Sequence, residues 1–227
     1  MDVGMIYVLH DEASKEFLSI RGELHKYLIR VRRHKVGDVV NFRAKKELSI
    51  LHSYEITEVD GRSLELKLLT SVAQETQSNK KLHIAWCVID AKSIEKVLPM
   101  LSEIGVTKIT FISCERSQNN FKLDYERFER ILEASMQQSG RSTLIEFAAS
   151  KNIKTFLGEY PDTKVFDFCD NILESNAGVA TVLIGCEGGF SKEERTLLQT
   201  QENFRLATPM VLRSESAVVA VASKILL

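Results

Sequence analysis

The chain has 227 residues, 44% of them hydrophobic, and its 30 Lys and Arg nearly balance 31 Asp and Glu for a formal net charge of −1. That length allows one large domain or two small ones with a substantial core, and the composition is that of an ordinary globular chain. No apolar run approaches the roughly 20 residues that cross a bilayer, and the opening MDVGMIYVLHDEASKEF lacks a basic start followed by an apolar stretch, so no membrane partner is expected and the location expected is cytoplasmic.

The first seventy or so residues carry short strand-like runs, MIYVLH, DVVNF, ILHSYEIT and LELKLL, around one helical stretch, GELHKYLIRVRR. Short strands separated by turn signals predict a small β-barrel. Charge is concentrated here: between Arg21 and Lys46 nine Lys or Arg stand against Glu23 and Asp38, so this segment is +7 and the remainder −8. Such a local basic face suits phosphates, with Arg30, Arg32, Arg33 and Lys35 at its centre. Residues 71–81, SVAQETQSNKK, are polar, lack periodicity and read as a linker.

From Leu82 the pattern changes. LHIAWCVI is a nearly continuous apolar run, as in a strand buried on both faces; a helical stretch over residues 93–104 and a second strand, KITFISC, give βαβ order. Helical periodicity returns in YERFERILEASMQQ, followed by strands in KVFDFC and VATVLIG, a helix after Ser191, a short FRLA strand and a terminal helix, which together predict an α/β parallel sheet. The four cysteines, Cys87, Cys114, Cys169 and Cys186, are widely spaced without C-x-x-C, which suggests neither a zinc site nor a disulfide framework. All five histidines lie in the first 83 residues, so His-based triads and His-ligated zinc are not expected beyond them, and no metal is expected.

Two segments carry the chemistry. VATVLIG runs into a Gly-rich turn, IGCEGGF, and then SKEERTLLQ, where Ser191 and Glu194 have capping-box spacing. Gly185, Gly188 and Gly189 let backbone approach a flat ligand. The turn matches neither the dinucleotide fingerprint nor the phosphate loop. About twenty residues later, PMVLRSESA places Arg213 at the mouth of an Ala- and Val-rich helix with Ser214 as expected N-cap and Glu215 in its first turn, an electropositive point suited to a carboxylate, a phosphate or a developing oxyanion.

GCEGGFSKEE and LRSESA together resemble GPEGGfs..E and LRtETA of the bacterial 16S ribosomal RNA uridine N3-methyltransferase family (the RsmE type), in the SPOUT class of S-adenosylmethionine-dependent enzymes. LSEIGVTKITFISCERSQ, SMQQSGR, and His25, Arg30, Val31, Arg33, Gly37 and Asp38 match further family motifs in the same order, so the resemblance spans essentially the whole chain. Cys186, Thr208 and Met210 depart from the pattern, as does Gln137.

The resemblance implies an N-terminal PUA-like β-barrel over residues 1–72, a linker over 73–81, and a SPOUT α/β domain over 82–227 with a C-terminal trefoil knot. It implies S-adenosylmethionine bound by Ile184, Gly185, Glu187, Gly188, Gly189, Leu206, Pro209, Leu212, Ser214 and Ala217, and RNA contacts from Arg116, Gln138 and Arg141 besides the basic face. Arg213 and Glu215 are the candidate catalytic residues, Arg213 stabilising charge on the uracil oxygens and Glu215 accepting the N3 proton or acting as a helix-dipole partner. The implied partners are 16S rRNA, in the assembled small subunit, and a second copy of the chain. A SPOUT enzyme with another RNA target, or an RNA-binding assembly factor without catalysis, are the alternatives.

Overall fold

A computed structural model describes residues 7–118, 122–174 and 178–227. Met5 and Ile6 of the first predicted strand lie outside the described residues. The chain forms two compact units, one of residues up to Gln77 with Met136–Thr143, the other of Ser78–Ser135 and Leu144–Leu227.

The first unit is a curled five-stranded sheet in the order β1-β3-β4-β5-β2: β1 (Val8–Leu9), β2 (Phe17–Arg21), β3 (Val39–Ala44), β4 (Glu47–Val59) and β5 (Ser63–Ala73). β1 pairs with β3 in parallel and every other pair is antiparallel. The β2 sequence FLSIR alternates exposed and buried side chains, sending Leu18 and Ile20 into a core with Phe42, Tyr54, Ile56, Leu64 and Leu66. Register shifts in β4 on both sides of Tyr54–Ile56 bend its pairing with β5. Between β2 and β3 stand a short helix, α1 (Gly22–Lys26), and a π-helical turn, Tyr27–Val31.

Two expectations change here. Ser71–Ala73 belong to β5 rather than to a linker, because long β4 offers them ladder partners: Ser71 faces His52, and Ala73 faces Ile50. Arg43, one of the nine basic residues, is core. It is 1% exposed, its guanidinium lies 5.0 Å from the centre of the Tyr7 ring and donates to the Leu48 carbonyl. Met136–Thr143 completes this unit, with the Tyr7 hydroxyl donating to the Arg141 carbonyl at 2.6 Å and the Leu9 amide to Gln137 Oε1 at 2.9 Å.

The second unit is a six-stranded, all-parallel sheet in the order β11-β9-β10-β6-β7-β8, from β6 (His83–Cys87), β7 (Lys108–Ile112), β8 (Glu146–Ser150), β9 (Lys164–Phe166), β10 (Thr181–Ile184) and β11 (Asn203–Phe204). Every β6 side chain is buried, which is why its sequence after His83 is apolar throughout rather than alternating. The helices are α2 (Ala91–Ile104), α3 (Tyr125–Ser139), α4 (Ile153–Glu159), α5 (Lys192–Leu198) and α6 (Ser214–Leu226). Asp90 caps α2 by accepting from the Ser93 amide at 3.0 Å, and Gly105 ends it at φ +105°, where a Cβ would fall 2.6 Å from that of Ser78. No helix among the described residues is long and apolar enough to cross a membrane.

Cys87 and Cys114 form a disulfide, contrary to the expectation of no disulfide framework. They are 27 residues apart, but Cys87 ends β6 and Cys114 follows the neighbouring parallel strand β7, which brings their Cα atoms to 5.7 Å. Cys169 and Cys186 are free.

His83, at the start of β6, shares a 2.7 Å hydrogen bond with Thr110 Oγ1 and packs edge-on against Phe156 and Tyr160. Burial, with a smaller push from Lys108, lowers its pKa from 6.5 to about 4. The unfolded chain takes up this proton near pH 6.5 and the folded chain only near pH 4, so the stabilisation from keeping His83 neutral is complete above the first value and lost as pH falls to the second, by up to about 3 kcal/mol. His83→Gln, which keeps a hydrogen-bonding partner for Thr110 but does not titrate, is expected to flatten that acid limb in urea unfolding followed across pH. An unchanged limb would place the acid sensitivity elsewhere.

Candidate active site

Strand order locates the site before any side chain does. From β6 the chain builds outward through β7 and β8, then crosses to the other flank to lay down β9, β10 and β11, so the succession reverses between β6 and β10. Loops leaving the C-terminal ends of those two strands diverge, and open α/β sheets bind ligands in the resulting crevice. IGCEGGF is the loop leaving β10.

One hydroxyl joins this crevice together. Ser214 Oγ accepts from Trp86 Nε1 at 2.8 Å and donates to the Gly185 carbonyl at 2.6 Å. Trp86 is fully buried in β6, Gly185 opens the Gly-rich loop, and Ser214 begins α6. The two motifs that sequence places some thirty residues apart therefore meet at one atom. This also corrects the capping assignment: the N-cap is Arg213, with no side-chain cap bond, because the Ser214 oxygen is engaged by Trp86 and Gly185 and Ser214 is the first helical residue.

The loop is shaped by backbone and by one carboxylate. The Gly189 amide donates to the Cys186 carbonyl at 2.9 Å, and Gly189 has φ +64°, while Gly185 and Gly188 do not take positive φ. Gly188 is required for a different reason: Arg116 Nη1 donates to its carbonyl at 2.6 Å, and a Cβ there would meet Arg116 Cδ at 3.3 Å. The expected capping box is present, Ser191 Oγ accepting from the Glu194 amide at 3.1 Å and Glu194 Oε2 from the Ser191 amide at 2.8 Å. Glu194 Oε1 also accepts from the Glu115 amide at 2.9 Å, so one buried carboxylate holds the loop after β7 to the start of α5. Sequence reasoning saw Glu194 only as a cap.

Of the other candidates in this unit, Ile184 and Ala217 are buried, Leu206 and Leu212 pack on the core, and Glu187, Gly188 and Pro209 are exposed. Arg213 is exposed, with no ion pair or side-chain hydrogen bond among the described residues. Glu215 Oε2 is sealed from solvent and has no hydrogen-bond partner among them. Cys186 donates to the Gly189 carbonyl at 3.6 Å, and burial pushes its thiol pKa up, the reverse of an activated nucleophile. Thr208 Oγ1 accepts from the Met210 amide at 3.1 Å, turning the exposed Met210 outward.

The remaining candidates lie in the first unit. Arg30, Arg32, Arg33, Lys35 and Gln138 are exposed. Arg141 is only 5% exposed and its Nε donates to Thr143 Oγ1 at 3.1 Å; burial lowers its pKa to about 10, which leaves it charged at neutral pH but beneath the surface.

Residues 76–226 match the family model of an RNA methyltransferase domain, so the second unit is of that class. Ribosomal RNA small subunit methyltransferase E of Helicobacter pylori strain J99 is 40% identical over 223 residues, 96% of this chain and 98% of the relative. The protein of the same description from Aquifex aeolicus is 24% identical over 207 residues, 82% of this chain and 90% of its own. The fold is that of a methyltransferase from Legionella pneumophila solved with S-adenosylmethionine (TM-score 0.74, 22% identity, 96% of this chain and 94% of that one). It is also that of a ribosomal RNA small subunit methyltransferase E from Neisseria gonorrhoeae bound to the same molecule (TM-score 0.73, 17% identity, 96% and 95%). The chain belongs to the ribosomal RNA small subunit methyltransferase E family.

Proposed function

We propose that this protein transfers the methyl group of S-adenosylmethionine to N3 of a uridine in 16S ribosomal RNA, acting in the cytoplasm as a homodimer on the assembled small subunit. Family membership carries S-adenosylmethionine-dependent methylation of 16S rRNA. The observation that carries the placement of the reaction is the Trp86–Ser214–Gly185 link, which joins both motifs at the reversal point of the sheet. In this reading the first unit carries a PUA-like RNA-binding barrel, the polar segment after β5 is a linker, and the parallel-sheet unit is a SPOUT domain whose α6, lying against α2 and β10, threads a trefoil knot; the buried Ala217 and Ala222 suit close passage of that helix.

The site chemistry fits the cofactor. Glu215 Oε2, which has no hydrogen-bond partner among the described residues, leaves a carboxylate oxygen available at the start of α6. The exposed Glu187–Gly188 backbone and half-buried Leu206 and Leu212 supply the polar edge and apolar walls that an adenosine needs, with Ile184, Gly185, Gly189, Pro209, Ser214 and Ala217 framing them. When bound, S-adenosylmethionine supplies an electrophilic methyl whose departure leaves a neutral thioether, so no residue need protonate a leaving group.

What the chain must supply is alignment and an N3 anion. Uridine N3 carries its proton at neutral pH. Arg213, unpaired at the N-terminal end of α6, stabilises the charge that spreads onto the uracil oxygens as the proton leaves, and the Glu215 carboxylate is the acceptor available for it. A ring nitrogen so activated attacks directly, and the raised thiol pKa of Cys186 agrees with a reaction that uses no cysteine adduct. Arg30, Arg32, Arg33, Lys35 and Gln138 hold RNA from the first unit, and the outward face of Arg116 from the second.

N3 methylation removes a Watson–Crick donor, so the modified base arrests reverse transcription. Primer extension along 16S rRNA from cells with and without the gene is expected to lose one stop at a uridine. An unaltered pattern with defective subunit assembly would contradict the enzymatic reading.

A further inference from the structure

The basic segment of the first unit is not a uniform surface. It carries an open hollow of about 560 Å³ between α1 and the turn joining β4 to β5, lined by Arg21, Lys26, Arg30, Gly61, Arg62 and Ser63. Sheet register builds it: β2 and β5 pair antiparallel with Arg21 opposite Ser63, which sets Arg21 beside Arg62 of the turn. His25, 7% exposed, fixes α1 to the same turn through a 3.2 Å contact between Nε2 and the Asp60 carbonyl.

The three guanidiniums around this hollow, those of Arg21, Arg30 and Arg62, have no ion pair among the described residues; Lys26 pairs with Glu23 at 2.6 Å. Asp60, the carboxylate on the lining, is turned into its own loop, accepting from the Arg62 amide at 2.5 Å, the Ser63 amide at 2.7 Å and the Ser63 hydroxyl at 3.0 Å. Three guanidiniums gathered around one concavity repel one another unless an anion lies between them, and their planar forks match phosphate oxygens. Arg21 and Arg62 lie outside the stretch that composition alone marks as the centre of the basic face.

We infer that this hollow seats a backbone phosphate of the RNA strand, gripped by Arg21, Arg30 and Arg62. The inference rests on the proposed RNA-methyltransferase reading and adds a defined anchoring point to it. A polynucleotide is favoured over a small free phosphate because the hollow opens to solvent and the exposed Arg32 and Arg33 closely follow Arg30 in the chain, offering further cations to a continuing strand.

The test titrates a short fluorescein-labelled single-stranded RNA into the full-length protein, by anisotropy, over a series of salt concentrations. Arg21→Ala/Arg62→Ala is expected to weaken binding at least about tenfold and to reduce the slope of log affinity against log salt by about 1.4, two phosphate contacts at roughly 0.7 each, with S-adenosylmethionine affinity unchanged. Both side chains are exposed, so the variant is expected to fold, which thermal unfolding checks. A parental slope in the double variant would overturn the seat alone, and displacement of the RNA by micromolar inorganic phosphate at constant ionic strength would overturn its assignment to a polynucleotide. A parent protein that binds cofactor but no RNA would overturn both the seat and the functional reading beneath it.

Discussion

Ser214→Ala is expected to raise the dissociation constant for S-adenosylmethionine at least about tenfold and to destabilise the protein by about 2–4 kcal/mol. The change removes one hydroxyl but strands two groups, the Trp86 indole N–H and the Gly185 carbonyl, each of which loses its 2.8 or 2.6 Å partner. A buried polar group left unpaired costs about 1–3 kcal/mol, and here the loss also frees the Gly-rich loop from the start of α6. Ser214→Thr, which keeps the hydroxyl, is expected to recover most of the affinity. Calorimetric titration of the folded variants decides the matter: parental affinity in Ser214→Ala would mean that the link is structural and that the cofactor is held elsewhere.

Arg213→Lys is expected to lower the rate of methyl transfer by about a hundredfold or more while leaving the binding of RNA and cofactor nearly unchanged. Lysine keeps the charge at the N-terminus of α6 but loses the planar fork that can face the uracil oxygens, and a developing anion is stabilised chiefly in the transition state. Arg213 is exposed and makes no side-chain cap bond, so the substitution should not disturb the helix. Single-turnover assays at saturating cofactor and RNA separate the two effects. If RNA affinity falls and the saturated rate does not, Arg213 positions the substrate and the charge-stabilising role is wrong.

The parallel sheet was legible because burial on both faces writes a nearly continuous apolar run: LHIAWCVI contained β6, and VATVLIG contained β10. The capping box at Ser191 and Glu194 was legible for a local reason, since both partners lie within one helical turn. β8 escaped because EFAAS is a half-exposed edge strand with little pattern, although the alternation in FLSIR could have revealed β2. What sequence could not carry was set by tertiary neighbours. The Cys87–Cys114 bond follows from adjacent parallel strands rather than from spacing. Ser214 has the residue type and position of an N-cap, yet Trp86 and Gly185, both distant in sequence, claim its oxygen. Arg141 and Arg43 look like surface cations until Tyr7 and its surroundings bury them.

The most direct measurement incubates the purified protein with S-adenosylmethionine and small ribosomal subunits from cells lacking the gene, then digests the 16S rRNA to nucleosides for mass spectrometry. The account predicts N3-methyluridine at a single position, formed by the parent and absent with Arg213→Lys on the same timescale. A methyl group on another atom or another base, or no transfer to the RNA by a protein that binds the cofactor, would contradict it.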